Sequence, residues 1–362
     1  MKPAMKPLAH SYLGEIINYV PGKSKVGNKK AIKLSSNENA LKTSPKAIQA
    51  YKNHVPAIFR YADGGCTALR EALAKQNNID AKKIVCGAGS DELIAILAYA
   101  FAGVGDEIIY SEYGFLMYPI STKRVGAIPV KVKEKNLKTD VEAILQAITP
   151  KTKIIFLANP NNPTGSYLNK ADLEDLINKI PKNILIALDH AYEEFVEAKD
   201  YPSGIELVNQ HENVVMLRTF SKIYGLASLR IGWCYSSSNI SEILNKVRGP
   251  FNVGGPAQAA AVAALEDEEF FQLSKDHNSK WRKIFFDELK GNKKIIAYPS
   301  QGNFILLDFG SKENSVKANK ALLAEGIIIR EMDGYGLPHC LRLTIGTAEE
   351  NMQLLNILQN GF

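Results

Sequence analysis

The chain has 362 residues, 46% of them hydrophobic and 23% charged, with a formal net charge of +6. That length fits two domains, or one large domain with a satellite, in a protein of ordinary soluble composition. Its lysines and arginines are scattered rather than clustered, which argues against nucleic acid and suits small anionic molecules.

The first fifty residues are too short for a domain of their own and are expected to form an arm packing on a smaller C-terminal unit. From about residue 80 to 235, short apolar runs alternate with longer helical stretches. Ile84-Val85-Cys86 leads through Gly-Ala-Gly into a helical run from Asp91 to Phe101. Glu107 to Tyr110, Ile128 to Val132 and Lys153 to Ala158 are strand-like, and a helix follows from about Lys170 to Lys179. Ile184 to Leu188 and Val214 to Leu217 repeat the theme. Strands separated by helices predict an α/β fold with a mostly parallel sheet covered on both faces. Pro256 to Leu289 then predicts a long helix. Phe304 to Asp308, a helix near 315–325, Ile327 to Arg330 and Leu341 to Ile345 complete a smaller α+β unit. The expected division is an arm over 1–50, a large domain over 51–250 and a small domain over 251–362.

The four cysteines (Cys66, Cys86, Cys234, Cys340) lie far apart and read as reduced packing residues of a cytoplasmic protein. The six histidines lack ligand spacing, so no metal is expected. No apolar run approaches the roughly 18 residues of a membrane span, and no signal peptide is visible.

In open parallel sheets, ligands sit at the carboxyl ends of strands, and four such ends carry unusual loops. In Cys86-Gly-Ala-Gly-Ser90-Asp91-Glu92, glycines would let backbone N–H groups approach a phosphate at a helix N-terminus. A dinucleotide fingerprint would need glycine where Glu92 stands, and Ser90 or Asp91 could instead cap the helix. Asn159-Pro-Asn-Asn162-Pro-Thr-Gly165 reads either as an Asn-Pro turn or as a placed amide donor. The carboxylate of Asp189-His-Ala-Tyr192 could cap a helix or pair with a protonated pyridine nitrogen. In Thr219-Phe-Ser221-Lys222, with Arg230 eight positions on, a lysine behind two hydroxyls suits a Schiff base with pyridoxal phosphate. A lone Ser-x-Lys would be a solvated loop lysine. The ordered set, each member at a strand end, outweighs its parts.

These motifs resemble those of the fold-type I pyridoxal-phosphate aminotransferases of the aspartate aminotransferase superfamily, most closely the histidinol-phosphate aminotransferases. The resemblance runs from about Tyr19 to the C-terminus. It implies a large domain and a smaller α+β domain, with pyridoxal 5'-phosphate as cofactor. Lys222 would be the Schiff-base lysine, Asp189 the pyridinium partner, and Asn162 and Tyr192 the holders of the phenolate oxygen. Ser90, Asp91, Thr219, Ser221 and Arg230 would bind the cofactor phosphate or its surround. Tyr113 would stack on the ring. Tyr61, in Arg60-Tyr-Ala62-Asp63, would reach the neighbouring active site of a homodimer. Arg342 would clamp a carboxylate as a bidentate fork, and Arg330, Tyr19 and Asn37 would contact substrate. Where the family usually has proline, this chain has Ala62 and Ala40, which alters loop stiffness rather than reacting groups.

The implied reaction passes an amino group between L-histidinol phosphate and 2-oxoglutarate. An aromatic amino-acid aminotransferase or an amino-acid phosphate decarboxylase could share this cofactor site, and Gly334-Tyr-Gly-Leu-Pro338 is compatible with the former. A non-catalytic sensor fused to a DNA-binding module is disfavoured, because no helix-turn-helix fits before residue 50.

Overall fold

Apolar, β-branched runs build the centre of the molecule, for which a computed structural model describes residues 7–23, 25 and 31–360. Seven strands form one sheet: β1 (Ile84–Gly87), β2 (Glu107–Ser111), β3 (Ile128–Val132), β4 (Thr152–Ala158), β5 (Leu185–Asp189), β6 (Val214–Thr219) and β7 (Gly232–Ser236). Their order is β1-β7-β6-β5-β4-β2-β3. All neighbours are parallel except β7, which runs antiparallel to β1 and β6. Both β5 and β6 are buried at every position, as strands covered on two faces must be.

Alternate residues along the strands feed two separate apolar clusters, one on each face. Ile155 and Leu157 join the cluster that holds Leu69, Leu73, Leu173 and Leu176 of two helices. Ile154 and Phe156 join the other, with Leu93, Leu97 and Leu244. The mostly parallel sheet flanked by helices is therefore the α/β architecture that the sequence pattern predicts. β7 is the strand that pattern omits. All four cysteines are buried and unpaired.

The run from Pro256 to Leu289 is two helices rather than one, Gly255–Leu265 and Glu268–Leu289. Between them Asp267 accepts a hydrogen bond from Ser44 Oγ at 2.5 Å and pairs with Lys46 at 3.3 Å. That contact with a residue 223 positions away holds the break, and no local spacing signals it. The first helix presses Ala257, Ala260, Ala261 and Ala264 into the large core.

The C-terminal unit is a four-stranded antiparallel sheet in the order Ile296–Ala297, Phe304–Asp308, Cys340–Thr344, Arg330–Glu331. It has its own core around Trp281, Phe285, Leu322 and Leu354. The expected strand from Ile327 to Arg330 is divided between two sheets. Ile327–Ile328 pairs in parallel with Ile32–Lys33, while Arg330–Glu331 pairs with Cys340–Thr344. Among the described residues no helix is long and apolar enough to cross a membrane.

Candidate active site at the strand ends

The carboxyl ends of β1, β4, β5 and β6 and the start of β7 meet at one sheet edge. Pairing of Gly232 with both Gly87 and Thr219, and of Ala158 with Asp189, keeps their loops level. These loops and the C-terminal unit enclose a cavity of about 470 Å³. It is lined by Tyr19, Asn37, Ser90, Asp91, Asn162, Asp189, Tyr192, Thr219, Ser221, Lys222, Arg230, Arg330 and Arg342, all singled out from the sequence.

Lys222 Nζ donates to Ser36 O at 3.2 Å and lies 5.5 Å from the centre of the Tyr192 ring. Burial, and then the charge of Arg342, lower this amine from the ordinary 10.5 to about 8. Asp189 is buried, which pushes its carboxyl up. Tyr118 Oη, donating at 2.8 Å, and the Ala191 N–H, donating at 3.2 Å, pull it back. Tyr192 Oη accepts from Asn37 Nδ2 at 2.9 Å, and its ring meets Phe304 edge-on at 5.0 Å. Asn37 has φ of +54° and is gripped by Thr344, which accepts from its N–H at 2.9 Å and donates to its Oδ1 at 3.1 Å. Arg342 is buried over the Phe304 ring. It donates to Asn162 Oδ1 and, at 3.0 Å, to Ser35 O. Its Nε has no hydrogen-bond partner among the described residues.

The helix Ser90–Phe101 starts without a side-chain cap, so neither Ser90 nor Asp91 plays the capping role. Glu92 folds back to accept the Ala88 N–H at 2.6 Å. The helix is entered through Gly89 at φ +91°, ψ 164°, a conformation essentially restricted to glycine. A Cβ there would stand 2.3 Å from Arg230 Nη2. Arg230 lies over this turn, donating to Asp91 Oδ1 at 2.5 Å and to Ser221 Oγ at 3.4 Å. An open helix N-terminus, a guanidinium and a hydroxyl thus face the same space.

The family model for class I and II aminotransferases matches residues 29–358. The chain belongs to this family. It is 48% identical over 348 residues to the histidinol-phosphate aminotransferase of Paramagnetospirillum magneticum, covering 95% of this chain and 96% of that one. To the same-named enzyme of Zymomonas mobilis it is 44% identical over 359 residues, covering 98% and 97%. Among solved structures it resembles the histidinol-phosphate aminotransferase of Sinorhizobium meliloti in complex with pyridoxal-5'-phosphate. There the TM-score is 0.89 at 26% identity, over 96% of each chain.

One expected site residue of this class I and II aminotransferase, Tyr113, does not line its cavity. Tyr113 packs against the cluster of Leu306, Met332 and Tyr335 instead. A turn in which the Gly114 N–H donates to Ser111 O at 2.8 Å redirects the chain, and Phe115 reaches the cavity. The same Tyr-Gly-Phe string held both rings, and only the turn decides which faces inward. Tyr61 is 85% exposed and stacks on Phe251 with ring centres 4.7 Å apart. Tyr335, of the Gly334-Tyr-Gly-Leu-Pro338 segment, also lines the cavity, although its sequence context assigns it no site role. Arg330 Nη2 donates to Val20 O at 2.8 Å, tying the arm that carries Tyr19 to the C-terminal sheet.

Proposed function

We propose that this chain is a pyridoxal-phosphate-dependent aminotransferase acting between L-histidinol phosphate and 2-oxoglutarate, run in biosynthesis toward histidinol phosphate and away from glutamate. The observation carrying this reading is 48% identity, across 95% of the chain, to a histidinol-phosphate aminotransferase. That relationship favours it over aromatic amino-acid transfer or phospho-amino-acid decarboxylation. The donor set fits the cofactor's four functional groups. Its phosphate suits the open helix at Gly89 with Ser90, Asp91, Thr219, Ser221 and Arg230 around it. The ring nitrogen suits Asp189, the phenolate suits Asn162 and Tyr192, the aldehyde suits Lys222, and Phe115 supplies a ring face.

When bound, the cofactor supplies an electron sink for the charge that develops on the substrate carbon. Lys222 Nζ would hold the aldehyde carbon and, once freed by the substrate amine, carry the proton that leaves the substrate carbon. With its amine lowered to about 8, the neutral form becomes available near neutral pH. A buried carboxylate at Asp189 is offset by a cationic N–H beside it. Because Arg342 fixes Asn162 Oδ1, the Asn162 Nδ2 is free to donate toward the phenolate oxygen. Arg342 would clamp the α-carboxylate of glutamate, and Arg330, Tyr19 and Asn37 would contact the phosphorylated substrate.

Tyr61, at 85% exposed, sits beside Ile58 at 65% and Phe59 at 76%. Such an apolar patch supports a homodimer in which Tyr61 enters the neighbouring site. The four unpaired thiols support a cytoplasmic location. The deciding assay compares histidinol phosphate, phenylalanine and tyrosine as amino donors to 2-oxoglutarate. Histidinol phosphate should be preferred by kcat/KM. Preference for the free aromatic acids would overturn the substrate assignment.

A further inference from the structure

We propose that Tyr118, which lies outside the cavity lining, is a positioning residue for amino transfer: its hydroxyl aims Asp189 at the cofactor ring nitrogen and keeps their shared proton on that nitrogen. The proposal rests on the functional reading above. Tyr118 is 1% exposed, and its Oη donates to Asp189 Oδ2 at 2.8 Å. Its ring is stacked on Phe156 of β4, centres 5.0 Å apart and planes 6° apart. Phe115 meets it edge-on at 6.0 Å. Held between these rings, the hydroxyl has one direction in which to donate. Asp189 Oδ1 takes the Ala191 N–H, so among the described residues each oxygen has one protein donor and a lone pair left for a ring N–H.

The chemistry follows from where one proton sits. A buried carboxylate stripped of donors becomes a stronger base, and beside a pyridinium it takes the proton and leaves two neutral partners. The ring is then a poorer electron sink. A donated O–H spreads the carboxylate charge and weakens its basicity, which favours the ionic pair. Burial pushes the Tyr118 hydroxyl well above its usual range, so it remains a donor. A packing role alone would account for the stacked ring but would make no use of the hydroxyl.

The test is Tyr118→Phe, which keeps the ring and removes the oxygen, in holoenzyme loaded with pyridoxal phosphate labelled with ¹⁵N in the ring. The wild type should show the chemical shift of a protonated ring nitrogen, and the variant should move toward the unprotonated value. The kcat should fall with little change in the KM for glutamate. An unmoved ¹⁵N shift overturns the proposal, even if the melting temperature drops. Should Tyr118→Phe fail to fold, 3-fluorotyrosine at position 118, a stronger donor, must hold the ring ¹⁵N at or beyond the wild-type protonated shift. A shift moved toward the unprotonated value would overturn the proposal equally. Wild-type protein that binds no cofactor would instead refute the functional reading on which it stands.

Discussion

Replacing Gly89 by alanine probes the phosphate cradle with a single methyl group. The backbone at φ +91°, ψ 164° lies where side chains are rarely tolerated, and holding alanine there costs about 1–3 kcal/mol. That strain is felt by the apoprotein and should lower its melting temperature. The added Cβ would also stand 2.3 Å from Arg230 Nη2 and 2.4 Å from Asp91 Oδ1, so the guanidinium must move. Its half-exposed pairing with Asp91 is worth little by itself. The larger loss is one charge-assisted contact to the cofactor phosphate, about 1.5–3 kcal/mol, or roughly tenfold to a hundredfold in Kd. Titration of apoprotein with pyridoxal phosphate, followed by absorbance, measures that Kd directly. Pyridoxal without phosphate should bind both proteins alike. A folded Gly89→Ala protein that binds the phosphorylated cofactor within about threefold of wild type would show that this turn is not the cradle.

Arg342→Ala removes the buried fork and strands Asn162 Oδ1, so the KM for glutamate should rise about tenfold to a hundredfold. An unchanged KM would place the carboxylate elsewhere. For Lys222, the neutral amine is the form that attacks an aldehyde, and its population grows as pH rises through about 8. Covalent cofactor capture by apoprotein should therefore accelerate up to about pH 8 and level off above it. A rate still climbing toward 10.5 would mean the amine is not lowered. Lys222→Ala and Tyr61→Ala proteins should each be nearly inactive, yet mixing and refolding them should recover about a quarter of wild-type activity through hybrid dimers. No recovery would refute a shared site.

Much of this site is legible in the sequence because its residues follow strand ends in short, unusual strings. Asn159 to Gly165 and Asp189 to Tyr192 are local patterns, and a parallel sheet lines them up without further information. What escapes depends on direction or on distant partners. Gly232–Ser236 is buried throughout, so its apolar run says nothing about being antiparallel. Tyr113 and Phe115 are equivalent aromatics until the Gly114 turn is known. Tyr118 carries no local mark because the partner of its hydroxyl, Asp189, is 71 positions away. The break at Asp267 has the same origin in its contact with Ser44.

The short stretch Ile327–Glu331 works as a staple with two legs. One leg grips Ile32–Lys33, and the other grips Cys340–Thr344. Leu34 is sewn to both, donating from its N–H to Ile328 O at 2.8 Å and accepting the Thr344 N–H at 2.9 Å. Ser35, Asn37, Arg330 and Arg342 consequently travel as one jaw, their mutual spacing set by a sheet rather than by flexible tethers. The opposing jaw is the strand edge that bears Lys222 and Asp189, and the Arg342–Asn162 contact is the clasp where the two bite.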